Sequence, residues 1–308
     1  MIPERNRKTK AWIGASASRL AKGAIALLPA GAPSKIYNLA IKIPVARDIL
    51  GAAVRSAIPE KIESDGCTIF LDRSDIAVSG ALALKGFETF ETELFKQALK
   101  PGMNFVDIGA HIGYYSLIAS KIVGSSGKVF SLEPEPGNFS LLKKNVEANG
   151  AMNITPINAA VSDTAGKRDL FIERYNKGHH SFGQNQGSAG KITVATETLD
   201  GVLEKHGNPR IDAIKIDIEG AEPIALRGMK ATIARNPHIV IFTEVYPRCM
   251  EKLGESPKRY LEELTKLGLS LWSIDEEKEA VEKIADIDDF LSDFPRGEAF
   301  KNVIAAKA

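Results

Sequence analysis

Apolar positions along this chain recur with two periods, and the exchange between them predicts the architecture. Short apolar or strictly alternating runs end in turn residues at Phe105–Ile108, 128–132, 157–161, 211–218, 239–245 and 269–274. These read as strands. Between them apolar residues return every three or four positions, at 114–122, at Phe139, Leu142 and Val146, at 221–229 and at 256–267. That spacing predicts helices, the third of them weakened by Gly228. Residues 302–305 fit a last strand that pairs with its neighbour. Strands alternating with helices predict an α/β fold: an open, mostly parallel sheet covered by helices on both faces. The run 239–245 is apolar on both faces, as a buried parallel strand must be.

Upstream the pattern changes. Residues 1–58 carry many Lys and Arg and almost no acid beyond Glu4 and Asp48. Ile13, Ala17, Leu20, Ala24 and Leu27 keep helical spacing, as do Ile36, Leu39, Ala40 and Ile43. Two or three short helices follow. They form either a small cap on the main domain or a basic amphipathic segment that touches an anionic membrane surface or a partner. Residues 59–100 lead into the core, with strands at 67–71 and 76–78 joined through Asp72–Asp75 as a hairpin. A helix through Phe90, Leu94, Phe95 and Ala98 then stops at Lys100-Pro101-Gly102. The core domain spans 101–308. Within it 171–174 reads as an extra strand, and 175–190, rich in Gly, Ser, Asn and His, as a long loop of the kind that carries function. An acidic stretch at 275–293 precedes the last strand.

Composition narrows the field. The chain has 308 residues and a formal net charge of +1, so nothing global favours nucleic acid. Its two cysteines, Cys67 and Cys249, lack metal-ligand spacing and fit a reducing, cytoplasmic setting. No apolar run is long enough to span a bilayer, and the apolar piece at 24–28 is too short and too late for an export signal.

The first strand runs into a glycine turn that opens a helix, NFVDIGAHIGYYSLIA. This is how α/β proteins seat a nucleotide-like ligand at the C-terminal edge of the sheet. A dinucleotide turn needs G-x-G-x-x-G, but here Asp107 precedes Gly109, Ala110 and His111 fill the middle, and Gly113 closes the turn. No Walker lysine is present. The turn suits a ligand without phosphates, and S-adenosylmethionine fits: an ammonium, a sulfonium and a ribose diol all favour carboxylates. Glu133 ends strand two in SLEPEPGNF, about 20 residues after Gly113, where an acid holds a ribose in such folds. Ser162 and Asp163, past strand three, either face the adenine or form a turn.

A second set of polar residues lies on the same edge. In IDAIKIDIEGAE, Lys215, Asp217 and Glu219 alternate with isoleucines, on one face of a strand if it stays extended. Charges in a central strand are costly unless paired or used, and Lys215 could neutralise one carboxylate. Glu244 closes strand five. Asp107, Glu133, Asp217, Glu219 and Glu244 are therefore expected to converge at one rim. There mutual repulsion would raise a pKa and supply a general base. The candidates for that base are Asp217, Glu244 and a histidine of Gly178-His179-His180-Ser181, His180 first. Glu219 and Glu222 could instead cap the following helix. The clustered carboxylates could also hold a divalent metal, although no metal ligands are assigned.

Four pieces, FVDIGAHIGYYSLIA, VFSLEPEPGNFSLLKKNVEANG, INAAVSD and IDAIKIDIEGAE, in this order and spacing, resemble the FkbM family of S-adenosylmethionine-dependent methyltransferases from about Phe87 to Val245. The resemblance implies a class I methyltransferase (Rossmann-like) fold, a seven-stranded sheet whose last strand is antiparallel. It also implies O-methylation of a hydroxyl on a sugar, glycolipid or secondary-metabolite acceptor. Asp107, Gly109, Gly113 and Glu133 match the family's cofactor positions, and Asp217 and Glu219 its acidic signature. His111 stands where Asn is common. The basic first 58 residues lie outside the resemblance. A dehydrogenase is disfavoured by the missing middle glycine. An amine-directed enzyme is disfavoured by Asp217-Ile218-Glu219-Gly220 in place of Asn/Asp-Pro-Pro-Tyr, and a non-catalytic binder by the retained acids.

Overall fold

A computed structural model describes residues 57–84, 86–173, 177–184, 188–294 and 299–307. The helices expected before residue 57 lie outside the described residues. The described chain forms two compact units: 57–62, 71–84, 86–87 and 177 in the smaller, the rest in the larger.

Lys61–Ser64 (β1) and Cys67–Phe70 (β2) make a two-stranded sheet, so the expected hairpin forms one strand earlier than the pattern suggests. Its expected second strand, 76–78, is instead the entry to a helix, Val78–Ala83 (α1). The reason lies in two aspartates. Asp72 accepts the backbone N–H of Ser74 at 2.7 Å, and buried Asp75 accepts that of Ser79 at 2.9 Å. Carboxylates that take amides this way turn the chain and start a helix rather than a strand.

After 63–70, the larger unit resumes with Thr89–Ala98 (α2), then alternates. Phe105–Ile108 (β3), Tyr114–Val123 (α3), Val129–Leu132 (β4), Pro136–Ala148 (α4) and Ile154–Ile157 (β5) form the first half. Asn145 of α4 and Asn149 just after it cover the edge of β2, accepting from Phe70 and Thr68 backbone N–H groups at 2.7 and 2.9 Å. At β5 the chain departs from the expected single strand. Exposed Asn158 donates instead to the carbonyls of Glu133 and Pro134 at 2.8 and 3.1 Å, and the chain leaves the main sheet there. It continues as Ala160–Val161 (β6) in a separate three-stranded sheet with Gly166–Glu173 (β7) and Ser188–Glu197 (β8), in the order β6-β8-β7. The expected short strand at 171–174 falls at the end of β7, and within the expected loop at 175–190 residues 177–179 make a short 3-10 turn while 188–190 already belong to β8.

Leu199–Lys205 (α5), Ala213–Ile216 (β9), Glu222–Arg227 (α6), Lys230–Arg235 (α7) and Val240–Val245 (β10) follow. The helix expected to weaken at Gly228 stops there and restarts as α7. Pro247–Lys252 (α8), Pro257–Lys266 (α9), Leu269–Asp275 (β11), Ala280–Lys283 (β12), Ile287–Ser292 (α10) and Lys301–Lys307 (β13) complete the chain. The main sheet runs β12-β11-β13-β10-β9-β3-β4-β5. Neighbours from β10 to β5 are parallel, and β13 inserts antiparallel between β10 and β11. This is the class I methyltransferase arrangement with one addition. The acidic stretch after β11 folds back as β12, making eight strands rather than seven. Central strands β3, β4 and β9 are buried along their whole length, so the parallel core is apolar on both faces except where function intrudes.

Candidate active site

Register brings the chemistry to one edge. Ile108 of β3 pairs with Ile216 of β9, which pairs with Thr243 of β10. The next residue of each strand, Gly109, Asp217 and Glu244, therefore emerges at the same level. The Asp217 N–H donates to the Ile108 carbonyl at 3.0 Å, closing the gap between β3 and β9.

The glycine turn is shaped by crowding. Gly109 has φ +85, and a Cβ there would strike the Asp217 carbonyl oxygen. Gly113 has φ +89, and its Cβ would sit 2.5 Å from Leu142 Cδ1. Both positions thus demand glycine on conformation and on space. His111 takes φ +51, a region that Asn tolerates better than most residues, which fits the family's habit there. Glu133 is buried and holds the turn: Oε2 accepts the His111 N–H and Oε1 the Glu135 N–H, each at 2.9 Å. Each oxygen keeps a lone pair for a ligand hydroxyl. Burial pushes its carboxyl up to about 7, against the pull of those amides. Asp107 accepts from Ser116 Oγ at 2.6 Å, and Ser116 lies 2.7 Å from Ser131 Oγ. Burial moves Asp107 up to about 6, opposed first by the Ser116 bond. The turn offers carboxylates and backbone amides and contains no Lys or Arg, a donor set that fits the cationic S-adenosylmethionine. Ala110 is buried in the turn. Ser162 is buried, and Asp163 pairs with Arg168 at 3.2 Å and Arg227 at 3.5 Å.

Beside the seat lies a buried lysine. Lys215, 4% exposed, places Nζ 3.1 Å from Asp217 Oδ2, 3.5 Å from Glu91 Oε1 and 3.9 Å from Glu88 Oε2. It also sits over the Tyr115 ring, 4.6 Å from the centroid. Tyr115 donates to Glu88 at 2.7 Å, and Asn302 donates to Glu91. These carboxylates overcome the burial penalty and hold the ammonium well above its ordinary range.

Beyond Lys215 the charges gather. The strand ends at Ile216, so Lys215, Asp217 and Glu219 do not share one extended face. Glu219 adopts φ +55 and swings toward β10 instead. One carboxylate oxygen each from Asp217, Glu219 and Glu244 lies within 4.8 Å of the other two. Glu219 and Glu244 are buried, and desolvation, then repulsion from neighbouring carboxylates, holds both well above the usual range. Glu222 does not cap α6. Its Oε1 accepts the N–H groups of Ile218 and Gly220 at 3.1 and 3.3 Å, closing the turn that carries Glu219.

The expected rim thus resolves into parts. Asp217, Glu219 and Glu244 meet, whereas Asp107 and Glu133 are tied to serine and amide partners at the glycine turn. The two histidines separate. His180 Nδ1 accepts the Glu173 N–H at 3.1 Å, while His179 Nδ1 lies 3.3 Å from Glu219 Oε2, its ring edge-on to Tyr246. Sequence reasoning missed Glu88 and Glu91. The lysine in an apolar strand signals that buried acids exist, but nothing local points to α2, more than 100 residues upstream.

Comparisons with known proteins identify the family. The model of the methyltransferase FkbM domain matches residues 107–271, more than half the chain. The methyltransferase sdnD of Sordaria araneosa is 28% identical over 173 residues, 46% of this chain and 66% of that protein. The hexuronic acid methyltransferase AglP of Haloferax volcanii is 27% identical over 166 residues, 52% of this chain and 64% of that protein. A probable cobalt-precorrin-6B C(15)-methyltransferase (decarboxylating) of Sulfurisphaera tokodaii is 29% identical over 164 residues, 49% and 84%. The match therefore spans about two thirds of the length of sdnD and AglP. A solved methyltransferase FkbM from Methylobacillus flagellatus KT superposes with a TM-score of 0.36 at 15% identity, over 72% of this chain and 52% of that one. Among the described residues no helix is long and apolar enough to cross a membrane. With the glycine turn, Glu133 and the KIDIEGAE edge lying inside the matched region, the chain belongs to the FkbM methyltransferase family, whose methyl donor is S-adenosylmethionine.

Proposed function

We propose that this chain transfers the methyl group of S-adenosylmethionine to a hydroxyl of a sugar, glycolipid or secondary-metabolite acceptor. The observation that carries the reading is the carboxylate cluster one strand from the glycine turn, where the Glu244 Oε2 atom is buried and makes no hydrogen bond. A sulfonium methyl is already activated, so the protein's tasks are in-line placement and removal of the hydroxyl proton. In this reading Asp107, Gly109, Ala110, Gly113, Glu133, Ser162 and Asp163 line the donor. Asp217, Glu244 and His180 serve the acceptor, and His179 joins them through its contact with Glu219. AglP, named for a hexuronic acid, supports a sugar acceptor.

Incubating the chain with methyl-labelled S-adenosylmethionine and panels of glycans, glycolipids and polyketide-like alcohols tests the acceptor. Label in an alkali-stable methyl ether is expected. The precorrin relatives are named for transfer to carbon, and label found only on carbon or nitrogen would overturn the O-directed reading. The donor seat has its own test. Glu133→Ala removes the expected diol acceptor and loosens His111, so calorimetry should record a loss of S-adenosylmethionine affinity of roughly tenfold or more. Unchanged affinity would refute the ribose assignment.

A further inference from the structure

The acidic cluster brings together more carboxyl groups than its buried cation pairs with. Lys215 is the only buried Lys or Arg among the described residues, and its ion pairs are with Glu88, Glu91 and Asp217. No Lys or Arg among the described residues pairs with Glu219 or Glu244 within 4.0 Å. We propose that Asp217, Glu219 and Glu244 bind a divalent cation through their carboxylate oxygens.

Spacing decides which cations fit. Two oxygens on one ion lie no farther apart than twice the metal–oxygen distance, about 4.2 Å for Mg²⁺ and about 4.8 Å for Ca²⁺. The three oxygens lie within 4.8 Å of one another; at that limit an ion at their centre would stand about 2.8 Å from each, so the side chains must close by some tenths of an ångström around Ca²⁺ and by more around Mg²⁺ or Mn²⁺. A second observation points the same way. Glu244 is 7% exposed, and its Oε2 makes no hydrogen bond. A buried oxygen without a partner is expensive, and an ion satisfies it. The ligands also stand on firm ground. Asp217 and Glu219 flank Ile218 in a turn that Glu222 closes, and Glu244 is a residue of β10. Asp217 gives Oδ2 to Lys215 and keeps its other oxygen.

An ion there would act as a Lewis acid toward an acceptor hydroxyl and lower its pKa, so that less would be demanded of the base. That role rests on the methyl-transfer reading; binding of the ion does not. The experiment is a titration of the chelator-stripped full chain with Mn²⁺, followed by electron paramagnetic resonance, with calorimetry for Ca²⁺ and Mg²⁺. S-adenosylmethionine binding is measured in parallel. One Mn²⁺ per chain is expected, with affinity falling at least tenfold in Glu244→Gln and in Glu219→Gln, and unchanged in the exposed control Glu282→Gln. Two variants guard against one that fails to fold, which circular dichroism reports. Absence of binding at millimolar Mn²⁺, or binding that survives in both folded variants, overturns the site. S-adenosylmethionine binding without Mn²⁺ binding removes the metal site alone, whereas Mn²⁺ binding without S-adenosylmethionine binding supports the metal site and sinks the donor seat.

Discussion

Lys215→Met should lower the free energy of unfolding at pH 9 by about 3–5 kcal/mol, read from urea denaturation. The substitution keeps the volume of the stem but removes the ammonium that Glu88, Glu91 and Asp217 share. A buried charge stripped of its partner is among the costliest changes a core can suffer. The loss should depend on pH, and its sign follows from Glu91. Burial, opposed by Lys215, already sets that carboxyl at about 8. An acid whose folded pKa lies above its unfolded value holds a proton in the fold that the unfolded chain has released. Stability therefore falls as pH rises from the ordinary glutamate range to the folded value. Without Lys215 the folded pKa climbs further and the window lengthens upward. The deficit of the variant should be modest at pH 6, where Glu91 holds its proton in both proteins, and larger at pH 9, above the folded value of about 8 that Lys215 maintains. Equal deficits at the two pH values would show that lost packing against Tyr115, rather than charge, sets the cost.

The same lysine marks what the sequence could and could not convey. Strand positions and edge chemistry were legible because they rest on local signals. Short apolar or alternating runs mark β3, β4, β9 and β10, and the strand-end acids Glu133, Asp217 and Glu244 announced themselves by position. Lys215 in an apolar run announced a buried partner without naming it, because Glu88 and Glu91 reach it only after the chain has folded. Glu219 was placed on the wrong face, since period two holds only while the strand lasts and the backbone turns at φ +55. The Asp72–Asp75 segment failed for a related reason. Its aspartates bond to nearby amides, and that local chemistry outweighs the short apolar run after it. β12 was hidden because its four residues are an exposed edge strand in an acidic stretch, with no apolar period to detect.

Gly109→Ala is expected to do damage out of proportion to one methyl group. The residue sits at φ +85, which costs an alanine about 1–2 kcal/mol. Its Cβ would also meet the Asp217 carbonyl oxygen, a backbone atom that cannot rotate away. That oxygen is fixed because the Asp217 N–H is bonded to Ile108 across the same gap. Overpacking of this kind adds about 1–3 kcal/mol. The strand tips must part, and Asp217 leaves its place beside Lys215 and Glu244. A stability loss of about 2–5 kcal/mol is expected, and S-adenosylmethionine affinity should fall at least about tenfold in the fraction that folds. Gly124→Ala is the control. Its φ is +66, but nothing lies within 4 Å of the added carbon, and it ends α3 away from the turn. It should cost about 1–3 kcal/mol, since φ +66 with ψ −169 is a conformation open essentially to glycine alone, and leave cofactor affinity unchanged. If Gly109→Ala behaves like Gly124→Ala in both measurements, then the close approach of β3 and β9 does not shape the donor seat. The site would then owe its form to Glu133 and the following helix alone.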